Sequence, residues 1–390
     1  MISPLTARGL DDRLRPRPLE LASSLMLGLD DDVPLLREAA PGVTPRAALE
    51  AACLGALQLP HCVVAFSGGR DSSAMLAIAT HVARREGLPL PVPVTLRFAG
   101  VAEADESQWQ ELVIRHLGLP DWTRLELGDD LDFLGPSATR VLRTHGVLAP
   151  VNTYASMPLL ECARGGSYID GVDGDSVLSW RHEHLAKVMT ARAAPRRDDA
   201  ANLRLALSPR PLRDHWAART MPWTNWLTRP AAQQLRAEWA KTIASQPWSY
   251  ARSLQWQRRS RAANATDWGT LLLAADVGTT LVRPFADDAF LTAFGRSMPA
   301  FGFRGRTQAF ASLVGDLLPE SVVTRHSKAT FPHYWGTHSA RFAAEWTGAG
   351  VDPAIVDLDN LRSEWASPRP SHRTGLLLQQ AWLHATIPAK

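Results

Sequence analysis

The stretch "SGGRDSS", Ser67 to Ser73, carries the sharpest chemical signal in the chain. Gly68 and Gly69 let a backbone come close to a ligand, and the N–H groups at a helix start, with the Ser67 and Ser72 hydroxyls, would point donors at an anion. Asp71 would repel a phosphate unless a cation lay between them, so the phosphate reading implies Mg²⁺ bridging carboxylate and phosphate oxygens. A tight Gly-Gly turn in an ordinary strand-to-helix unit is the other reading of the same residues. A loop of the G-x-x-x-x-G-K-[ST] kind is excluded, because no Lys follows Gly69.

The elements around this junction must position it. "CVVAF" reads as a buried strand, "SSAMLAIATHVARREG" as a helix ending at Gly87, and "PVPVTLRF" as a second strand. "ADESQWQELVIRHLGLP" reads as an amphipathic helix with Glu106 in its first turn and Gly118 past its end, and "TRLEL" as a further short strand. Before them, "LLREAAPGVTPRAALEAACLGALQL" has apolar residues at helical spacing broken by Pro41 and Gly42, which predicts two helices. Strands alternating with helices predict an α/β fold with a parallel sheet and a ligand site at the carboxyl ends of the strands. "GGSYIDGVDGDSVLSW", Gly165 to Trp180, adds a strand-like run and a second Gly/Asp loop, so two loops are expected to face one crevice.

Beyond Trp180 the chain is rich in Ala, Arg and Trp at helical spacing. The expected division is an N-terminal extension over residues 1–34, an α/β nucleotide-binding core over 35–185 and a mostly helical lobe over 186–390. The Trp-rich "DHWAARTMPWTNWL" fits either packing within that lobe or a substrate pocket.

Composition bounds the function. At 390 residues, 45% hydrophobic and 21% charged, the chain suits a folded soluble protein, and no apolar run approaches the roughly 18 residues of a membrane span. The acidic, Pro-containing first twenty residues do not make a secretory signal, so a cytoplasmic protein is expected. Cys53, Cys62 and Cys162 form neither a CxxC pair nor a ligand spacing, which argues against zinc and against a disulfide framework. A net charge of +3 spread along the chain does not make a nucleic-acid footprint. The basic residues are nearly all Arg; the only lysines are Lys187, Lys241, Lys328 and Lys390.

"SGGRDSS" resembles the PP-loop of the ATP pyrophosphatases, which split ATP into AMP and pyrophosphate while adenylating a substrate. By that resemblance Ser67, Gly68, Gly69, Asp71 and Ser72 hold the pyrophosphate end of ATP. Further segments, in order, resemble the synthetase domain of asparagine synthetases: "TLRF", ending at Phe98, the strand whose backbone lies near adenine; "AEADESQWQELVIRHLGL" an acidic D-E-S segment; "YIDGVDGDSVL", with Gly171, the S-G-x-G-x-D-E-L loop; "VRPFADDAF" an R-x-P-F-x-D element; and "LLPESVVTRHSKATF" a late Arg/Lys segment.

The resemblance implies that Asp71 and Asp175 ligate Mg²⁺ and that Lys328 neutralises charge developing at the α-phosphate. A compact ammonium can follow moving charge without the fixed fork of a guanidinium. Arg325 and Arg283 are expected either to assist phosphate binding or to pair with Asp287. No base is assigned: the loop position that is acidic or Tyr in many relatives is Val172, the usual D-E pair is Asp175-Ser176, and Asp173, His182 and Glu183 are the candidates nearby.

The chain has Met1-Ile2 where asparagine synthetases begin a glutaminase domain with a cysteine, so ammonia from glutamine is not the expected nucleophile. "RHSKATFPHYWG" has R-x-x-K instead of the commoner R-x-K, and this spacing, with the tail "GAGVDPAIVDLDNLRSEW", is similar to lasso-peptide cyclases, which join a side-chain carboxyl of a precursor peptide to its own α-amine. β-Lactam synthetase is another branch using an intramolecular amine. The activity the resemblance implies is ATP-dependent amide formation on a carboxylate substrate, with macrolactam formation in a peptide as its particular form, a peptidase or leader-binding protein as partner, and no nucleic acid or membrane. The alternatives are a tRNA-modifying PP-loop enzyme and an inactive relative serving as a scaffold.

Overall fold

Five strands, β1 (Cys62–Ala65), β2 (Val92–Phe98), β3 (Thr123–Leu127), β4 (Ser167–Ile169) and β5 (Thr280–Val282), form one sheet in the order β3-β2-β1-β4-β5 among the described residues. The computed structural model describes residues 14–98, 106–179, 184, 188, 193–194, 203–205, 207–298, 305–326 and 335–386. Every pairing is parallel, so the α/β class with a parallel, helix-flanked sheet is as the sequence implied. β1 is central; the chain builds outward to β2 and β3, then returns to lay β4 on the other side of β1. A crevice therefore opens between the carboxyl ends of β1 and β4, where the strand order reverses.

Both faces of the sheet are covered. Val64 and Ile169 join one apolar cluster, and their neighbours Val63 and Tyr168 join another. That is why "CVVAF" reads as a continuous apolar run without alternation. The helix Arg70–Glu86 fully buries Met75, Leu76, Ile78 and Val82, at about 1.5–3 kcal/mol for each large side chain. It ends where predicted, with Gly87 at φ +66°, and the helix Ser107–Leu117 likewise ends at Gly118 with φ +56°.

Of the two helices expected between Leu35 and Leu59, only Pro45–Leu57 forms, capped by the Thr44 hydroxyl accepting from the Ala47 amide. Leu35 to Ala40 is irregular, and Leu35 is 72% exposed. Its backbone is satisfied by distant groups: the Leu36 amide donates to Gln255 Oε1 at 2.8 Å, the Ala39 amide to Thr292 Oγ1 at 2.9 Å, and Arg296 Nη2 donates to the Ala39 carbonyl at 2.8 Å. A short apolar spacing lost to such tertiary bonds is ordinary.

After residue 185 the described elements are helices apart from β5. β5 pairs with β4 through Ser167 opposite Thr280 and Ile169 opposite Val282, so the sheet draws strands from both halves of the chain. The Trp-rich stretch divides: Trp226 is 1% exposed and donates its indole N–H to the Ala22 carbonyl at 2.7 Å, whereas Trp223 is 80% exposed. Cys53 and Cys62 are buried, Cys162 is half-buried, and all three are free thiols. No helix of the described residues is long and apolar enough to cross a membrane.

Candidate active site

The loop after β1 turns at Gly68, whose φ is +84°. A Cβ there would lie 2.8 Å from Gln110 Cγ, so both the dihedral and the close approach require glycine. Gly69, with φ −70°, is the N-cap of Arg70–Glu86, which has no side-chain cap. The two serines act first on the loop itself: the Ser67 amide donates to Ser72 Oγ at 3.2 Å, and Ser72 Oγ donates to the Gly69 carbonyl at 3.0 Å. The Gln110 amide nitrogen donates to the Ser67 carbonyl at 3.0 Å, tying the loop to Ser107–Leu117. Gly68→Ala is expected to destabilise the fold by about 1–3 kcal/mol, against a small change for Gly69→Ala, as measured by denaturant midpoints.

The second loop follows β4 and lies directly on the first. A Cβ at Gly171 would sit 2.9 Å from the Asp71 carbonyl carbon and from the Ser72 nitrogen, and one at Gly174 would sit 2.7 Å from Asp71 Cγ. This contact sets Asp175 opposite Asp71, with one guanidinium between them: Arg306 Nη2 donates to both Asp71 oxygens at 2.6 Å, and its Nη1 pairs with Asp175. Ser67, Gly69, Asp71, Ser72, Gly171 and Asp175 all line one cavity of about 520 Å³. Phe98 ends β2, in register with Leu127 at the same end of the sheet.

Arg70 and Arg306 were not singled out from the sequence, yet both line this cavity. Arg306 lies 235 residues beyond Asp71, and nothing in its local sequence marks it; Arg70 is the x of the S-G-G-x-D-S pattern, to which the loop chemistry assigns no role. Arg70 Nη1 donates to Thr307 Oγ1 at 3.3 Å. Burial, and then the neighbouring Arg306, hold its guanidinium below its ordinary value. Arg70 and Arg306 balance the charge of Asp71 and Asp175 in this cavity, so with a cation on the two carboxylates the guanidiniums and the uncapped helix start would be left to meet an anion with several charges.

Arg325, 6% exposed, turns away from the cavity. It pairs with Glu106, lies 4.5 Å over the Trp109 ring and donates from Nη1 to the Gly68 carbonyl at 3.0 Å. It therefore positions the first loop from behind. Arg283 does not pair with Asp287, one of the two partners its sequence position suggests. Its Nε donates to Asp170 Oδ2 at 3.1 Å and its Nη1 to Asp267 Oδ1 at 2.5 Å, because it follows β5 and faces the end of β4. Asp287 instead caps the helix Asp288–Ser297 through the Ala289 and Phe290 amides. Burial raises Asp170 in spite of Arg283, and burial, then Asp267, pushes Asp173 up to about 7. Lys328, His182 and Glu183 lie outside the described residues.

Two opposed carboxylates suit Mg²⁺, a hard cation commonly held by one or two protein carboxylates together with substrate phosphates. The guanidinium now between Asp71 and Asp175 shows that the pair accepts positive charge there. No cluster of three or more His, Cys, Asp or Glu side chains that could hold a metal occurs among the described residues.

A parallel sheet with a glycine loop and an Asp loop meeting at its switch point defines an α/β protein of the PP-loop nucleotide-binding kind. The model of the asparagine synthase family matches residues 58–384, and the chain belongs to that family. It is on that ground an ATP-dependent carbon–nitrogen ligase in general type. A comparison with curated proteins finds no significant match.

Proposed function

We propose that the protein adenylates a substrate carboxylate and lets an amine displace AMP, forming an amide within a peptide natural product, most simply a macrolactam. The observation that carries this reading is the meeting of the two loops at one guanidinium, Arg306 bridging Asp71 and Asp175. In this scheme the carboxylate attacks the α-phosphorus of ATP, pyrophosphate departs into the cradle of Ser67, Gly68, Gly69 and Ser72, and the acyl-adenylate stays for the amine. Asp71 and Asp175 would hold Mg²⁺, which would neutralise charge on the departing pyrophosphate. Arg70 and Arg306 orient the same phosphates, and Lys328 meets charge developing at the α-phosphate.

Holding an amine beside an activated acyl group is worth roughly 7–11 kcal/mol of barrier through proximity alone. An intramolecular amine therefore makes hydrolysed glutamine unnecessary. The R-x-x-K spacing ending at Lys328 and the tail resembling lasso-peptide cyclases support a precursor peptide as substrate, handled in the cytoplasm with a peptidase or leader-binding partner. The test is exchange of labelled pyrophosphate into ATP: exchange is expected only when a carboxylate-bearing peptide is present with Mg²⁺. Lack of exchange with every peptide encoded near the protein, while ATP still binds, would overturn the adenylation step.

A further inference from the structure

The loop after β4 serves two cavities. Asp170, Gly171, Val172 and Asp175 line the one described above. Asp173, Ser176 and Val177 line a second, of about 370 Å³, whose other walls include residues of the helices Tyr250–Arg258 and Arg261–Val277 and Phe285. Nothing in the adenylation scheme uses this second cavity.

Asp173 is the feature that needs explaining. Its φ is +70°, one of two positive values among non-glycine residues described here. Asp tolerates this region when its short side chain bonds locally to the backbone. Here the side chain makes no capping bond, although the Asp173 carbonyl accepts from the Ser176 amide at 3.0 Å and the Val177 amide at 2.8 Å. No hydrogen bond or ion pair engages the carboxylate among the described residues. Glycine would serve the backbone better, so the carboxylate adds nothing to the turn.

The surroundings add charge without matching it. Asp170 and Asp267 share the buried Arg283, which leaves Asp173 as an excess carboxylate on the cavity wall beside Asp267. A second, independent feature lies in the same lining. Asn264 is 7% exposed, and its Oδ1 accepts from Arg258 Nη1 at 3.2 Å. A guanidinium only donates, so this bond fixes the orientation of the amide. The Nδ2 donor then has no acceptor among the described residues. The cavity thus offers carboxylates for a cation, an unused buried donor with Arg258 for an acceptor, and apolar surface from Leu254, Phe285 and Leu291.

We propose that this cavity binds the α-amino head of an amino acid or of a peptide N-terminus: the ammonium against Asp173 and Asp267, the adjoining carbonyl or carboxylate oxygen toward Asn264 and Arg258, and an apolar side chain over Leu254 and Leu291. Under the function proposed above, this is a docking place for the amine-bearing end of the substrate; its binding chemistry does not depend on that function.

The experiment is calorimetric titration at pH 7 without ATP, so that its failure leaves pyrophosphate exchange unaffected. L-Leucinamide serves as the mimic of a peptide N-terminus, L-leucine as the free amino acid, and 4-methylpentanamide as the same shape without the ammonium. At least one amine is expected to bind tenfold or more tightly than 4-methylpentanamide. A preference for leucine identifies a free amino acid, and binding of leucinamide at least as tight as leucine identifies a peptide end. Asp173→Gly is expected to lose this advantage while its melting temperature stays equal or rises, because glycine suits φ +70°. Equal binding of 4-methylpentanamide by the native protein, or undiminished amine binding by Asp173→Gly, would overturn the proposal.

Discussion

Asp71→Asn is expected to abolish pyrophosphate exchange while leaving a folded protein. The carboxylate sits where the two loops touch, with both oxygens on Arg306 Nη2 at 2.6 Å and its Cγ 2.7 Å from where a Gly174 Cβ would be. Asn keeps the shape needed at that contact and removes the charge. Removing one preorganised electrostatic group from a site of this kind commonly costs about 10²–10³-fold in rate. The substitution further leaves Asp175 as the only carboxylate charge on Arg306, and Asp175 is half exposed at 50%, so a larger loss is expected here. The pair is partly buried, with side chains 17% and 21% exposed, but the Asn Oδ1 can still accept from Arg306 Nη2, so no buried group is left without a partner and the fold is expected to survive the loss of charge. A melting temperature within a few degrees of the native value, together with loss of exchange, is the expected combination. Retained exchange would remove Asp71 from the catalytic apparatus, whereas gross unfolding would make the Asp71–Arg306 pair structural.

The same residues show what a sequence can and cannot disclose. β1, β2 and β3 and the helices between them were legible because their signals are local: apolar runs, then glycine stops at Gly87 and Gly118. The facing of the two loops was legible as well, since a parallel sheet sends the chain after β1 and after β4 to the same end. Arg306 was not, because its meaning lies wholly in a contact made across 235 residues. Arg325 and Arg283 were recognised as important, but their partners Glu106 and Asp170 follow from the order of strands and from how helices pack upon them. Leu35 to Ala40 misled for the converse reason: helical spacing is a local cue, and side chains from Gln255 and Thr292 outbid it for the backbone. Three-residue β5 has too little length for periodicity to register.

Arg325→Met is expected to act on stability and on ATP binding by separable routes. Arg325 and Glu106 have side chains only 3% and 8% exposed. Deleting the cation strands a buried carboxylate, which costs about 3–5 kcal/mol. Met retains apolar bulk against Trp109, so the loss is chiefly electrostatic. Adding Glu106→Gln removes the orphaned charge, and the double variant is expected to regain much of that stability. ATP affinity should not recover with it. Arg325 Nη1 also donates to the Gly68 carbonyl at 3.0 Å, and neither Met nor Gln replaces that bond at the tip of a loop with φ +84°. A hydrogen bond to a charged group contributes about 1.5–3 kcal/mol. If the loop must re-form that turn to hold phosphate, affinity falls by roughly tenfold to a hundredfold. Chemical denaturation and nucleotide titration of both variants read the two effects independently. A double variant that recovered stability and ATP affinity together would mean that Arg325 serves only to neutralise Glu106, with no part in shaping the phosphate loop.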